Sequence, residues 1–224
     1  MFRFAVALCF VALPALAQTT GTIQGIIKDD SGNPVPKAYT VATRQSPLDH
    51  STFGAVSDST GAIAFNGIPA GLYSLCVHMP GTSYLNPCLW ANDTKVNIAA
   101  GETVSNVAIV VTGGSLLQVR INDPQGLLTA SDDLLLGVYV GSGIFQPMRL
   151  AASDPSGRTY DVAVPLSTQI RLTVTSKHLQ LSNSGGVSLP GSASPVAASA
   201  TTMSLPAQSS SKGAPVVLTI TGRN

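Results

Sequence analysis

The chain has 224 residues, 12 basic and 11 acidic side chains and a formal charge of +1, so it lacks the basic surplus that nucleic acid or an anionic lipid surface demands. Charged residues make up only 10% of it, while Gly and Pro number 21 and 15, a balance typical of extracellular all-β proteins. No capped run of apolar residues at helical spacing stands against that reading.

Residues 1–17 read as a secretory signal peptide. Arg3 supplies the positive start, residues 4–13 the apolar stretch, and Ala15-Leu16-Ala17 the small-residue cleavage site. The run is too short to cross a bilayer as a helix; the other reading is a buried N-terminal strand or helix. Cys9 sits inside the apolar stretch without the small residues of a lipoprotein site, and Leu189-Pro190-Gly191-Ser192 lacks the Thr of a wall-anchoring motif. Nothing later reads as a membrane span. Cleavage removes Arg3 and leaves 11 basic against 11 acidic residues. The remaining length suits two small sandwiches or one large one.

In the first half, Ile23, Gly25 and Ile27 share one face of an opening strand that ends in the turn Asp29-Asp30-Ser31-Gly32. Further strands are predicted at 38–44, 53–57, 62–65, 71–78, 95–98 and 104–111. A second turn, Asp58-Ser59-Thr60-Gly61, precedes the alternating Ile63 and Phe65. Asp bonds its own backbone in such turns and Gly supplies positive φ. Ile68-Pro69-Ala70-Gly71 then breaks the chain, and Tyr73, Leu75 and Val77 resume one apolar face. Seven short strands separated by turn signals predict a β-sandwich.

These residues carry a resemblance. Asp-x-x-Gly, apolar-x-apolar, then Ile68-Pro69-Ala70-Gly71-Leu72-Tyr73-Ser74-Leu75-Cys76-Val77 resembles the carboxypeptidase regulatory-like domain, a transthyretin-like β-sandwich close to the Cna-B and starch-binding-like folds. The opening strand, its turn and Pro34-Val35 match that family's N-terminal half, and the resemblance spans roughly residues 21–111. It implies that Asp29, Gly32, Asp58, Gly61, Gly71 and Tyr73 are structural positions. It also implies a non-catalytic module, since no peptidase domain accompanies it. Some Cna-B domains carry a Lys–Asn crosslink; Lys28 is a formal candidate, but no spacing fixes a partner and none is expected.

Cys76 and Cys88 are the only cysteines beyond the leader. An even pair in an oxidising compartment favours a disulfide. Cys76 is out of phase with Tyr73, Leu75 and Val77, so the bridge should staple the turn-rich loop at 79–87 across the outer face of its own strand. A loop this short adds about 3 kcal/mol when closed. The alternatives are two free thiols or a metal pair; with His78 as the only near neighbour, three ligands fall short of a zinc site.

Tyr84 and Trp90, with Leu89 between, are candidate ligand-binding residues, and Tyr39 joins them: rings on a constrained loop stack on sugars or anchor a partner. The competing reading has Trp90 covering a sheet edge or the disulfide. Asn92-Asp93-Thr94 fits a glycosylation sequon, which means little in a bacterial protein.

The second half echoes the first. The turns Asp123-Pro124-Gln125-Gly126 and Asp154-Pro155-Ser156-Gly157 follow their counterparts by about 95 residues. Leu117, Val119 and Ile121 match the opening strand; Tyr160, Val162 and Val164 match Ile63 and Phe65; Ile170, Leu172 and Val174 match Tyr73, Leu75 and Val77. A second, diverged sandwich is expected, without a cysteine pair and with Pro165-Leu166-Ser167-Thr168-Gln169 in place of the Pro-x-Gly-x-Tyr signature. Residues 182–215, rich in Ser, Gly, Ala and Pro, read as a long loop or excursion before a closing strand at 216–221.

No catalytic motif is present: no Gly-x-Ser-x-Gly, His-Glu-x-x-His or Cys-x-x-Cys. Gly141-Ser142-Gly143 fails the dinucleotide pattern. His50, His78 and His178 read as surface histidines. Asp29, Asp30 and Asp58 have the oxygens a calcium ion wants, but turn chemistry already accounts for Asp29 and Asp58. The expectation is therefore an exported, non-enzymatic, all-β protein of two tandem small antiparallel β-sandwiches, transthyretin-like or Ig-like, without cofactor or metal. It comprises a signal peptide at 1–17, a regulatory-like sandwich at 18–112 and a diverged sandwich at 113–224. Its partner is an envelope protein or, alternatively, a glycan bound through Trp90, Tyr84 and Tyr39.

Overall fold

The computed structural model describes residues 20–90, 93–130, 134–140, 144–183, 199–205 and 207–223, so the predicted signal peptide lies outside the described residues. The described chain is all-β, and it forms two tandem sandwiches, each with its own buried core.

The first sandwich is built from β1 (Thr20–Asp29), β2 (Tyr39–Arg44), β3 (Thr52–Val56), β4 (Ala62–Pro69), β5 (Gly71–His78), β6 (Thr94–Ile98) and β7 (Thr103–Val111). One sheet has the order β4-β1-β7 and the other β3-β2-β5-β6. β1 pairs antiparallel with β4 but parallel with β7, so this sheet is mixed rather than purely antiparallel. Alternation places Ile23, Ile27, Ile63 and Phe65 from one sheet against Tyr73, Leu75 and Val77 from the other, all buried. Burying such faces stabilises by about 25 cal/mol per Å² of apolar area.

β4 runs further than its sequence suggests. The expected strand ends at Phe65 and the expected break begins at Ile68, yet Thr22 pairs with Asn66 and Gly21 with Ile68, which leaves Gly67 as an unpaired bulge residue at φ 67°. A bulge absorbs one extra residue without ending the strand. Only Ala70 then separates β4 from β5, which lies in the other sheet. Arg44 Nη2 donates to the Ala70 carbonyl at 2.6 Å, and the Tyr73 hydroxyl donates to that of Pro69 at 2.7 Å, pinning the crossover.

The second sandwich comprises β8 (Ser115–Asn122), β9 (Leu134–Val140), β10 (Ile144–Pro147), β11 (Arg149–Asp154), β12 (Gly157–Val164), β13 (Ile170–Ser176), β14 (Leu179–Asn183), β15 (Ser199–Leu205) and β16 (Val216–Arg223). Its sheets have the orders β11-β12-β8-β16-β14 and β10-β9-β13-β15. The wiring repeats that of the first. β8 pairs antiparallel with β12 and parallel with β16, as β1 does with β4 and β7. β9 lies between β10 and β13, as β2 lies between β3 and β5. Two edge strands, β11 and β14, are additions.

The expected excursion at 182–215 is corrected in part. β15 falls inside it and pairs with β13 along its whole length, from Ile170↔Leu205 to Ser176↔Ser199. Backbone pairing at a sheet edge needs little apolar alternation, and the Ser/Thr-rich β15 shows little. Residues 184–198 and 206 lie outside the described residues.

The four turns share one chemistry. Asp29 Oδ1 accepts the amides of Ser31 and Asn33, and Asp58 Oδ1 those of Thr60 and Ala62. Asp123 accepts the amides of Leu127 and Leu128, and Asp154 that of Ser156. At Asp29, Asp58 and Asp154 these bonds favour the ionised carboxylate. The Asn33 side chain and amide hold Asp29 below the usual range, and the Thr60 hydroxyl and amide do so for Asp58. Arg120, then Ser156, hold Asp154 well below it.

Candidate functional site

Cys76 lies on the outward face of β5, opposite Val41, and is joined to Cys88 with Cα atoms 5.2 Å apart. The loop between them is ordered by its own polar groups. Thr82 Oγ1 donates to the Met79 carbonyl at 2.8 Å, and the amide of Cys88 donates to Asn86 Oδ1 at 3.0 Å. Asn86 Nδ2 lies 3.2 Å from His78 Nδ1, and burial pushes the His78 imidazole pKa down, towards the neutral ring that can accept there.

The loop does more than fold over its own strand: it meets the connection between the sandwiches. The Leu85 amide donates to the Thr112 carbonyl at 2.9 Å, and the Gly114 amide donates to that of Ser83 at 2.8 Å. Tyr84 and Gly113 form an isolated antiparallel bridge between those bonds, and the Gly113 amide also donates to Asp30 Oδ2 at 3.2 Å. Leu85 is 8% exposed, and a Cβ on Gly114 would come within 2.7 Å of its Cδ2 and 2.5 Å of the Val164 carbonyl oxygen. Beyond Cys88, Trp90 packs against the core of the second sandwich.

The three rings singled out in the sequence are thus separated by role. Trp90 is partly buried and packs against the second core. Tyr84 packs against the first core, and burial beside Asp29 and Asp30 pushes its hydroxyl pKa up. Tyr39 is 48% exposed on the outer face of β2, its ring over Gly54 and 6.3 Å from His78. Gly71 abuts the Arg44 guanidinium, and Tyr73 is fully buried.

A cleft of about 170 Å³ opens where the loop faces the second sandwich, with His78, Met79 and Trp90 on one side and Gln146, Arg149 and Asp161 on the other. Arg149 Nη2 donates to the nearly buried Asp161 carboxylate at 2.8 Å. Small-molecule pockets usually enclose about 300–1,000 Å³, so the cleft is the seam of a joint rather than a roomy ligand site. Among the described residues no three His, Cys, Asp or Glu side chains cluster as metal ligands. Both oxygens of Asp29, and Oδ1 of Asp58, are engaged by their own turns.

Sequence reading missed one surface row. On the outer face of the β10-β9-β13-β15 sheet, Phe145 stands 5.0 Å from Tyr139, and the Arg171 guanidinium carbon sits 5.4 Å from the Tyr139 ring centre. Phe145 is 40% exposed and crosses Gly137, much as Tyr39 crosses Gly54. Tyr139 between Val138 and Val140 was the available signal; its neighbours come from separate strands.

No protein-family model matches the chain, and no curated protein matches it. Solved structures similar to it include the Bacillus anthracis TIE protein, at 10% identity over 90% of this chain and 34% of that one, TM-score 0.35. The Streptococcal ancillary pilin is similar at 11% identity over 90% and 63%, TM-score 0.40. GBS52, the minor pilin of Streptococcus agalactiae, is similar at 10% identity over 90% and 95%, TM-score 0.35. The chain spans about a third of the first of these and under two thirds of the second.

Proposed function

We propose that the chain is an exported, non-catalytic protein whose tandem domains, 18–112 and 113–224, serve as an interaction or structural module in the bacterial envelope or outside the cell. The observation that carries this reading is the Cys76–Cys88 bridge, which staples a loop that meets the connection between the two sandwiches. A disulfide with a structural task belongs to an oxidising compartment, in keeping with the leader-like 1–17. The motif order from Asp29 to Val77 supports a regulatory-like first domain, and the recurrent wiring supports a second of the same kind. Sheet edges and loops are the surfaces such a module offers to an envelope protein.

A second reading, glycan binding, has one specific observation in its favour: the exposed row of Phe145, Tyr139 and Arg171. Aromatic faces stack on sugar rings. It competes with a site at Trp90, Tyr84 and Tyr39, of which Trp90 packs against the second core and Tyr84 against the first. Purified protein, Trp90→Ala and Phe145→Ala are passed over a panel of insoluble polysaccharides, and native envelopes are crosslinked in parallel. Capture of an envelope protein without glycan retention supports the interaction module. Retention lost in Phe145→Ala puts the glycan reading in its place at the second sandwich, and retention lost in Trp90→Ala puts it at the joint.

A further inference from the structure

We infer that the Cys76–Cys88 bridge acts on the joint between the sandwiches, so that its reduction uncouples two otherwise intact halves. The bridge closes a loop of sequence separation 12, and within that loop lie Ser83 and Leu85, whose backbone bonds hold Gly114 and Thr112. Leu85 packs on Gly114, where an added Cβ would meet its side chain. Trp90, two residues past Cys88, carries the contact into the second core. Met79 and Tyr84 of the loop lie against the rim of the first core, but its largest fully buried side chains come from the sheets. Tyr73, Leu75 and Val77 point inward, and β5 is paired on both sides, with β2 and β6. Opening the bridge therefore frees the loop while leaving the sheets their own pairing. A dithiol reductant supplies the two electrons and two protons: the S–S bond breaks, Cys76 and Cys88 become thiols, and the reductant closes its own disulfide.

The protein has a single tryptophan, and it sits at this joint, which makes the test direct. The full chain is compared oxidised and after dithiothreitol, by Trp90 emission, far-ultraviolet circular dichroism and amide hydrogen exchange. Reduction is expected to red-shift Trp90 and to speed exchange at Leu85 and Gly114 by about tenfold or more. The Ile27 and Val35 amides, bonded to Gly61 and Ile27 inside the first sandwich, should change by less than about threefold. Unchanged emission and exchange at the joint overturns the inference. So does an equal acceleration at Ile27 and Gly114, which would place the action of the bridge in the first core. Leu85→Ala loosens the joint with the bridge intact. It should expose Trp90 in the oxidised protein and leave reduction little to add; effects that simply multiply mean separate sites of action and overturn the inference.

Discussion

Gly61 and Gly157 occupy matching places in the two sandwiches, each closing an Asp-x-x-Gly turn against the central strand. A Cβ at Gly61 would lie 2.5 Å from the Ile27 carbonyl oxygen, and one at Gly157 would lie 1.9 Å from that of Ile121, with φ at 78° and 142°. Gly157→Ala must move backbone and adopt a strained φ, so it is expected to destabilise the protein by roughly 1–3 kcal/mol in urea unfolding. The turn carboxylates make a second prediction. Asp58 and Asp154 titrate lower folded than unfolded, so the native state binds fewer protons. Their contribution is complete above the unfolded value of about pH 4 and is lost as pH falls through the folded values. Urea midpoints should hold steady from about pH 7 to 5 and fall below about 4, and the fall should shrink in the Asp58→Asn, Asp154→Asn double variant.

At the scale of the element, β5 shows how far local pattern reaches. Its bounds at Gly71–His78 follow from alternation and the flanking turns, and Tyr73 is buried as the pattern requires. The Tyr73 hydroxyl donates to the Pro69 carbonyl, a bond no pattern reveals. Tyr73→Phe should cost about 1 kcal/mol for that bond, and Tyr73→Ala about 3–5 kcal/mol for the cavity; calorimetry on both separates the two. β4 and β15 show where pattern stops. Asn66-Gly67 has turn composition, but the chain pairs on through a bulge. The Ser/Thr-rich β15 is a strand because β13 offers it a free edge.

Across the whole molecule, near-neutral charge and a stapled joint set the behaviour. A net charge of +1 offers polyanions little counterion release. The protein should pass unretained through a heparin column at about 0.1 M salt; retention there would point to a basic patch concentrated by the fold. The joint also fixes how the two outer sheet faces are presented together, because Leu85, Trp90 and the Thr112–Gly114 connection meet in one place.

The sequence by itself determined the fold class, the four Asp-x-x-Gly turns, the buried face of the strands with clear alternation, such as Tyr73, Leu75 and Val77, and the pairing of Cys76 with Cys88. All of these rest on interactions within a few residues, or on there being one partner to choose. Only the tertiary structure decided that Trp90 turns into the second core, that the stapled loop clasps the connection, that β1 and β8 each gain a parallel neighbour, and that Phe145, Tyr139 and Arg171 form a row. These depend on residues far apart in the chain, where backbone bonds and shape complementarity carry the contact and leave no periodic mark in the order of side chains.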